Sequence, residues 1–320
     1  MSDALVTGAT GFIGRELCRH LVDDGWSITA THRRTSNRED LADLDLEWAL
    51  ADVLDESAIR EAVAGHDYVF HLAGIGLLKG DADTVWNVNV EGTRNVLAAA
   101  DDAGVERVVF TSTAGTRRRE QGLATEEDVA RPLGAYQKSK MRAEALIDQY
   151  VLDGGDAVTV HPTSVFGPGD ESFTARLLGL ASDPKMVAYL PGGVSFVDVR
   201  DAVGGIVAAA EDGDRGEHYI LGGENLSFGE ALEILAHMSG GTVPRVRVPP
   251  AAIHIAGHGV GLANDVLGIR MFPVNAQMAE LSTKRLFYSS AKASAELGYD
   301  HSPLRSYASE AIDWYLDNNG

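Results

Sequence analysis

The chain has 320 residues, of which 45% are hydrophobic, so it can bury a substantial core in one large domain or two modest ones. Its net charge of −20 indicates an acidic surface, which repels nucleic acids and anionic membranes. No apolar run reaches the roughly 18 residues needed to span a bilayer, and the N-terminus lacks the pattern of a signal segment. We therefore expect a cytoplasmic protein with neither nucleic-acid nor membrane partners.

The N-terminal residues predict a strand, a glycine-rich turn and a helix, in that order. The apolar run Ala4–Val6 leads directly into the turn Thr7–Gly14, and helical spacing of apolar residues follows. This order forms a dinucleotide-binding opening. Gly8 turns the chain tightly, Gly11 lets the backbone approach a pyrophosphate, and Gly14 lets the helix pack on the strand.

Strand and helix patterns then alternate through the first half of the chain. The further strands predicted there are Ser27–Thr31, Leu46–Leu50, Tyr68–Ala73, Val108–Ser112 and Val158–His161. Helical patterns between them include Asp55–Val63 and Thr93–Ala103. The alternation predicts an α/β fold with a doubly wound parallel sheet of the Rossmann type, which binds ligands at the carboxyl ends of its strands.

The regular alternation ends near Gly167. Two later segments, Phe196–Ala210 and Glu217–Leu221, still resemble sheet and helix of the first domain. The other long segments have helical patterns, namely Leu226–Met238, Ala251–Leu267 and Pro303–Leu316. We therefore predict a dinucleotide-binding domain of residues 1–165 plus about 196–222, and a smaller, mainly helical substrate domain of about 166–195 plus 223–320.

Tyr136 and Lys140 lie one turn apart on a predicted helix, so they project from the same face. An ammonium group near a phenol lowers the pKa of the phenol from ~10 toward neutrality, which suits proton exchange with a carbonyl or alcohol. Such pairs also occur on ordinary surface helices. Here the fifth strand ends in hydroxyl-bearing residues, among them Ser112 and Thr113, at the predicted ligand edge.

The glycine turn, these hydroxyl groups and the Tyr–Lys pair together resemble the short-chain dehydrogenase/reductase superfamily. The G-x-x-G-x-x-G spacing is typical of its extended branch, the NAD-dependent epimerase/dehydratase family. His71–Gly74, Asn89–Thr93 and His161–Gly169 are similar to further motifs of that family, although it usually has arginine at the position of His161. The resemblance covers essentially the whole chain.

The resemblance implies a role for each matching residue. Tyr136 would be the general acid/base, Lys140 its pKa partner and ribose ligand, and Thr113 the hydroxyl that orients the substrate. Ser112 is the alternative to Thr113 if the match is shifted by one residue. The implied cofactor contacts are Gly8, Thr10, Gly11, Phe12, Ile13, Gly14, Arg33, Asp52, Val53, Leu72, Ala73, Gly74, Ser112, Tyr136, Lys140, Pro162 and Val165.

The end of the second strand bears on the choice of cofactor. NAD-binding sites usually place an acidic residue there for the ribose 2′-hydroxyl, whereas arginine suits a 2′-phosphate. The run Thr31–Arg34 contains two arginines, and no acid occurs before Glu39. The sequence therefore favours NADP over NAD, with Arg33 as the contact, unless both arginines are simply solvated.

Two reaction classes compete within the extended branch. Sugar epimerases and dehydratases usually carry an arginine ahead of the segment Phe196–Asp201 to hold a diphosphate, and none occurs in Leu190–Ser195. Leu286–Ser289 and Leu297–Tyr299 resemble dihydroflavonol-reductase-like members. We therefore expect an NADP(H)-dependent carbonyl reductase or alcohol dehydrogenase. The alternatives are a nucleotide-sugar epimerase/dehydratase and a non-catalytic dinucleotide-binding sensor or scaffold.

Other features are predicted to play no part in the chemistry. The arginines of the run Arg117–Arg119 are interpreted as solvated, with a phosphate site as the alternative. His254 and His258 are spaced like metal ligands but lack suitable neighbours, so no metal is expected.

The charge composition bears on the source of the protein. Its six lysines, twenty-one arginines and strongly acidic net charge make it similar to proteins from salt-loving organisms. Apolar residues such as Phe166, Phe173 and Phe196 belong to a substrate pocket or to the core. The oligomeric state is open, with a homodimer as one candidate.

Overall fold

The computed structural model describes residues 2–77, 80–170, 173–183, 186–253 and 280–319. The side chains of residues 173–176 and 319 are outside this description, so the candidate pocket residue Phe173 is not assigned. Most of the predicted helix Ala251–Leu267 also lies outside the described residues, together with the pair His254 and His258.

The described strands and helices follow the predicted order. The strands are β1 Asp3–Thr7, β2 Ser27–His32, β3 Glu47–Leu50, β4 Tyr68–His71, β5 Arg107–Thr111, β6 Ala157–Pro162, β7 Ser164–Phe166, β8 Ala188–Tyr189, β9 Gly193–Asp198, β10 His218–Leu221, β11 Glu224–Ser227, β12 Val246–Arg247 and β13 Arg285–Leu286. The helices are α1 Phe12–Asp23, α2 Glu56–Val63, α3 Ala82–Trp86, α4 Gly92–Ala103, α5 Ala135–Leu152, α6 Phe173–Ser182, α7 Val199–Glu211, α8 Phe228–Ser239, α9 Ala291–Leu297 and α10 Leu304–Asn319.

A seven-stranded parallel sheet in the order β10-β6-β5-β4-β1-β2-β3 forms the centre of the fold. This is the predicted Rossmann-type arrangement, in which the strand order reverses between β1 and β4. Strands β1, β4, β5, β6 and β10 are buried along most of their length, as a parallel sheet between helices requires, whereas the edge strand β3 is partly exposed. The fold prediction is therefore confirmed.

Separate apolar clusters cover the two faces of this sheet. On one face α1 contributes Leu17, Cys18 and Leu21, packed with buried residues of α7 such as Ile206. On the other face α2, α4 and α5 bury a second cluster that includes Ile147. Each helix places its apolar positions on one side, which is why helical spacing in the sequence located it.

A second sheet lies outside the parallel one. In it β9 pairs with β11 in antiparallel fashion and with β7 and β13 in parallel fashion. The sequence assigned β9 to the sheet of the first domain, but β10 is the strand that pairs with β6 there. The domain boundaries stay a prediction. The C-terminal part is mainly helical, as expected, and buries its own cluster, to which Phe166 and Phe196 belong.

The ends of several helices are fixed by side chains. Asp55 and Asp81 accept hydrogen bonds from backbone N–H groups at the starts of α2 and α3. Ser227 and Glu230 form a reciprocal capping box at α8. Within the described part of the chain, no helix combines the length and hydropathy that crossing a bilayer requires.

Candidate active site

The glycine turn between β1 and α1 brings the backbone of two strands very close together. Gly8 has a φ of +73°, and a β-carbon there would lie 2.7 Å from the Ala73 nitrogen. A β-carbon on Gly14 would lie 2.2 Å from the Gly8 oxygen. Larger residues do not fit at either position, so the turn and the start of α1 stay open to an anionic group.

A cavity of about 450 Å³, which we call the nucleotide cavity, begins at this turn. That volume lies within the range of small-molecule sites. The predicted cofactor contacts that line it are Gly8, Thr10, Gly11, Arg33, Asp52, Val53, Leu72, Ala73 and Gly74. Sequence reasoning missed Thr31, His32, Ser36, Ala51, Ile75, Gly80 and Val88, which line it as well. The residues present therefore form a cradle that fits a dinucleotide.

Arg33 and Ser36 form a tight turn at the rim of the nucleotide cavity, just after β2. The Arg33 backbone N–H donates to Ser36 Oγ across 3.0 Å, and the Ser36 N–H donates to the Arg33 carbonyl. Arg33 is exposed, so its guanidinium group is free to turn toward a ligand. The hydroxyl two residues beyond the arginine pair was the sequence signal that could have revealed Ser36.

A second cavity, of about 140 Å³, contains the predicted catalytic hydroxyl groups, and we call it the catalytic cavity. Thr113 and Tyr136 both line it, and the Thr113 side chain is near enough to the phenol to oppose the rise of its pKa. The other lining residues are Leu77, Ala114, Gly115, Gln137, Pro162, Thr163, Ser164, Leu281, Leu286 and Tyr288. No charged side chain occurs among the described residues of this lining, so the cavity suits an uncharged group.

Lys140 is buried one turn along α5 from Tyr136. Its Nζ donates to the Thr111 carbonyl oxygen across 2.9 Å and lies 4.9 Å from the centre of the Phe110 ring. A β-carbon on Gly74, in the nucleotide cavity, would be 3.4 Å from the same Nζ. Lys140 therefore lies between the nucleotide cavity and the Tyr136 helix face.

The pKa of the Tyr136 phenol differs from the prediction. Burial raises it above its ordinary value, the Thr113 side chain opposes this, and the nearby Glu144 carboxylate raises it further. Burial lowers the pKa of Lys140 to about 8, against the opposing charge of Glu144. The expected lowering of the phenol pKa by Lys140 is therefore absent, because burial outweighs other influences and Lys140 donates to a backbone carbonyl.

The two candidate hydroxyl groups after β5 point to different partners. Ser112 Oγ donates to Glu144 Oε1, away from both cavities, whereas the Thr113 hydroxyl meets Tyr136. The Thr113 hydroxyl also accepts a hydrogen bond from the Gly115 N–H and so begins a short 3-10 turn. This geometry favours Thr113 as the orienting hydroxyl.

The interpretation of Arg117 as a solvated residue is wrong. Its side chain is only 9% exposed and forms an ion pair with Glu144, with 2.8 Å between Nη1 and Oε2. Its other terminal nitrogen donates to His218 Nδ1 across 3.0 Å. Arg119 keeps the expected exposure and pairs with Asp128. The sequence missed Arg117 because its partners come from α5 and β10, far along the chain.

Asn89 joins three elements around the site. Its side chain exchanges two hydrogen bonds with the backbone of Ile75 and donates to Ser139 Oγ on α5. It lies in a π-helical segment, Asn87–Glu91, a feature often found at functional sites. The segment Asn89–Thr93 is similar to a family motif, but the contacts of Asn89 depend on the folded chain.

Four other predicted cofactor contacts lie outside the lining of the nucleotide cavity. Ile13 packs on the apolar cluster beneath α1, and Phe12 lies beside Gly167. Pro162 ends β6 and lines the catalytic cavity, whereas Val165 lies in β7, paired with β9. A role for these residues in binding the cofactor stays a prediction.

Comparison with known proteins assigns the chain to a family. A sequence profile of the NAD dependent epimerase/dehydratase family matches residues 4–222. The chain belongs to this family. It is an NAD(P)-dependent oxidoreductase of the extended short-chain dehydrogenase/reductase type, as the motifs implied.

Members of the epimerase/dehydratase family with similar sequences include two bacterial proteins. A Synechocystis sp. protein with a provisional dihydroflavonol 4-reductase name is 32% identical over 327 residues, covering 98% of this chain and 94% of the relative. Sterol demethylase protein B of Methylococcus capsulatus is 32% identical over 325 residues, covering 98% of each chain. The crystal structure of gox2253 matches with a TM-score of 0.88 and 32% identity, over 100% of this chain and 99% of that one.

Proposed function

We propose that this protein is an NADP(H)-dependent carbonyl reductase or alcohol dehydrogenase that acts on uncharged substrates. The observation that carries the proposal is the catalytic cavity, where Thr113 and Tyr136 meet in a lining of apolar and uncharged residues. A bound nicotinamide would supply or accept the hydride. The protein's own residues would position the substrate and move its proton.

Each catalytic residue has a defined task in this proposal. Thr113 holds the substrate oxygen by a hydrogen bond, and Tyr136 gives that oxygen a proton in reduction or removes one in oxidation. Lys140 binds the ribose while its ammonium group is held by the Thr111 carbonyl oxygen. Because burial raises the pKa of Tyr136, the phenol stays protonated at neutral pH and is ready to donate.

The preference for NADP rests on the turn after β2. Arg33 provides a cation and Ser36 a hydroxyl at the rim of the nucleotide cavity, and both groups suit a phosphate oxygen. A carboxylate that would repel a 2′-phosphate is absent from Thr31–Ser36. The same charge argument makes NAD the weaker ligand.

The uncharged catalytic cavity argues against the sugar-nucleotide alternative. A buried diphosphate needs cations to offset its charge, and the described residues of the cavity supply none. The substrate half of the sequence also contains Arg270, which lies outside the described residues. Net consumption of NADPH with a ketone or aldehyde therefore distinguishes the reductase from an epimerase or dehydratase.

The test combines binding with turnover. We expect NADP to raise the melting temperature more than NAD, UDP-sugars to leave it unchanged, and NADPH to be consumed with apolar ketones or aldehydes. Stabilisation by UDP-sugars without NADPH consumption on any carbonyl would replace this proposal with the epimerase/dehydratase alternative. Binding of NADP without any turnover would support a sensor or scaffold.

Tyr136→Phe tests the acid–base assignment. Loss of the phenolic proton should lower kcat by about 10²- to 10⁴-fold while the protein stays folded and binds NADP. Tyr150→Phe is the matched control, since it removes a hydroxyl from the same helix outside both cavities. Full turnover by the Tyr136 variant would remove this residue from the mechanism.

Assembly and location complete the proposal. We propose a cytoplasmic location. A homodimer is one candidate assembly, and light scattering coupled to size-exclusion chromatography measures the mass in solution. Adaptation to high salt would appear as a melting temperature that rises with KCl concentration, because added salt screens repulsion within the acidic surface.

A further inference from the structure

A buried pair of opposite charges lies behind the proposed catalytic residues. Tyr136, Lys140 and Glu144 follow one another at one-turn intervals along α5, so they share one helix face. The Glu144 side chain is 6% exposed and forms the ion pair with Arg117. Ser112 Oγ donates to the second carboxylate oxygen, so both oxygens of Glu144 have partners.

The same contacts hold the turn that carries Thr113. Arg117 follows this turn, and its backbone N–H donates to the Ala114 carbonyl across 2.9 Å. Thr116 Oγ1 donates to the Thr113 carbonyl, also across 2.9 Å. Ser112 and Arg117 flank the turn, and both bond to Glu144. The carboxylate therefore fastens the Thr113 turn to the helix of Tyr136 and Lys140.

Glu144 acts on both catalytic groups through its charge. It raises the pKa of Lys140 against the effect of burial, and it raises the pKa of Tyr136 further. Charges interact strongly where protein excludes water, so the effect depends on how completely Glu144 is neutralised. Among the arginine and lysine side chains of the described residues, Arg117 is the one that forms an ion pair with Glu144.

Two histidines complete the surroundings of Arg117. His161 on β6 lies 2.9 Å from His218 on β10, measured between Nε2 and Nδ1, and Asp148 on α5 lies 3.1 Å from His218 Nε2. Burial and the Arg117 charge hold the pKa of His161 well below its ordinary value. On the far side, His71 of β4 feels the charge of Lys140, and burial lowers its pKa to about 3. The rings of His161 and His71 are therefore neutral at pH 7.

The cluster also has the composition of a metal site. One ligand atom each from Glu144, His161 and His218 lies within 4.8 Å of the others. Arg117 places its two terminal nitrogens against all three side chains, at 2.8 Å from Glu144, 3.4 Å from His161 and 3.0 Å from His218. An arginine has only donors, so the guanidinium group takes the position that a metal cation would need.

We propose that Arg117 and Glu144 are positioning residues whose opposite charges, balanced against each other, set the protonation of Lys140 and Tyr136. This inference rests on the proposed function, since it assumes that Tyr136 and Lys140 carry the chemistry. Because Arg117 pairs with Glu144, Lys140 does not form an ion pair with that carboxylate. Its ammonium group instead donates to the Thr111 carbonyl and would bind the ribose.

Arg117→Met and Glu144→Gln test the balance, because each removes one charge and the two charges have opposite signs. The titration of Lys140 is followed by NMR in the cofactor-free, full-length protein labelled at lysine, where six lysines give few signals and Lys140→Arg assigns the one of interest. We expect Arg117→Met to raise the Lys140 pKa by about one pH unit and Glu144→Gln to lower it by a similar amount. The double variant should return close to the parent.

Two further variants separate charge from structure. Arg117→Lys keeps the cation and should largely restore the parent titration. Arg119→Met removes the same charge two residues away, from an exposed pair with Asp128, and should leave Lys140 unchanged. If Arg117→Met does not fold, Glu144→Gln and Arg117→Lys decide the matter, because the first must still lower the Lys140 pKa and the second must not change it.

The pH profile of alcohol oxidation provides the second measurement. Oxidation requires the deprotonated phenol, so its rising limb should move to higher pH in Arg117→Met and to lower pH in Glu144→Gln, with kcat affected more than KM. Shifts of the same sign in both variants, or none in either, would overturn the proposal. Opposite shifts of Lys140 together with full turnover by Tyr136→Phe would instead overturn the proposed function and leave the charge balance intact.

Discussion

The nucleotide cavity and the catalytic cavity are built in different ways. Most of the residues that line the nucleotide cavity lie at the ends of strands β1 to β4 or in the short turns that directly follow them. The second joins the end of β5, the start of α5 and the end of β6 to Leu281, Leu286 and Tyr288 near the C-terminus. Local motifs therefore specify the nucleotide cavity, whereas contacts between distant segments specify the catalytic cavity.

Gly8→Ala tests whether the close approach of backbone at the glycine turn forms the nucleotide cavity, and it should have the largest effect. An alanine there must adopt a φ of +73° with its β-carbon 2.7 Å from backbone, so we expect unfolding to become easier by at least about 3 kcal/mol. Gly25→Ala is the control, since Gly25 has a φ of +80° with nothing within 4 Å, and should cost about 1 kcal/mol. Urea unfolding measures both, and equal costs would mean that close approach does not define the turn.

His71→Gln tests how the nucleotide side responds to acid. Burial lowers the pKa of His71 to about 3, and its ring contacts Thr7 at 2.7 Å and Thr93 at 3.0 Å. As the pH falls below ~6.5, His71 binds a proton in the unfolded chain but stays neutral in the folded protein. The stability contributed by neutral His71 is therefore complete above that pH and declines toward pH 3.

The expected loss is about 2 kcal/mol between pH 6.5 and 5. Urea unfolding at these two pH values should show this loss in the parent and a smaller one in His71→Gln, whose amide can still bond to both threonines. Parallel pH dependences in the two proteins would contradict the assignment of a neutral, buried ring to this position.

Arg33→Ala tests side-chain recognition on the nucleotide side and should have the smallest effect, because the side chain is exposed. We expect the Kd for NADP to rise about 10-fold and the Kd for NAD to change little. Arg34→Ala is the control, since it removes the same charge from a neighbour outside the cavity lining. Equal weakening of NADP and NAD binding would show that Arg33 does not read the 2′-phosphate.

Arg33 and Arg117 show why the position of one arginine was predictable from the sequence and that of the other was not. Both belong to arginine runs that follow a strand. Arg33 lies in a short turn whose neighbours are also its sequence neighbours, so its position at the cavity rim was predictable. Arg117 is buried by Glu144 and His218, which lie 27 and 101 residues further along the chain. A run of charged residues carries no sign of such partners.

The parallel sheet, the glycine turn of the nucleotide cavity and the helix face that carries Tyr136 and Lys140 were all predictable from the sequence. These features follow from strand and helix periodicity and from glycines at fixed spacing, which act within a few residues. The folded chain was needed to show that Ser112 donates to Glu144 while Thr113 lies beside Tyr136, and that Leu286 lines the catalytic cavity. Burial and ion pairing depend on segments that come into contact only when the chain folds. These contacts set the environment of Thr113, Tyr136 and Lys140.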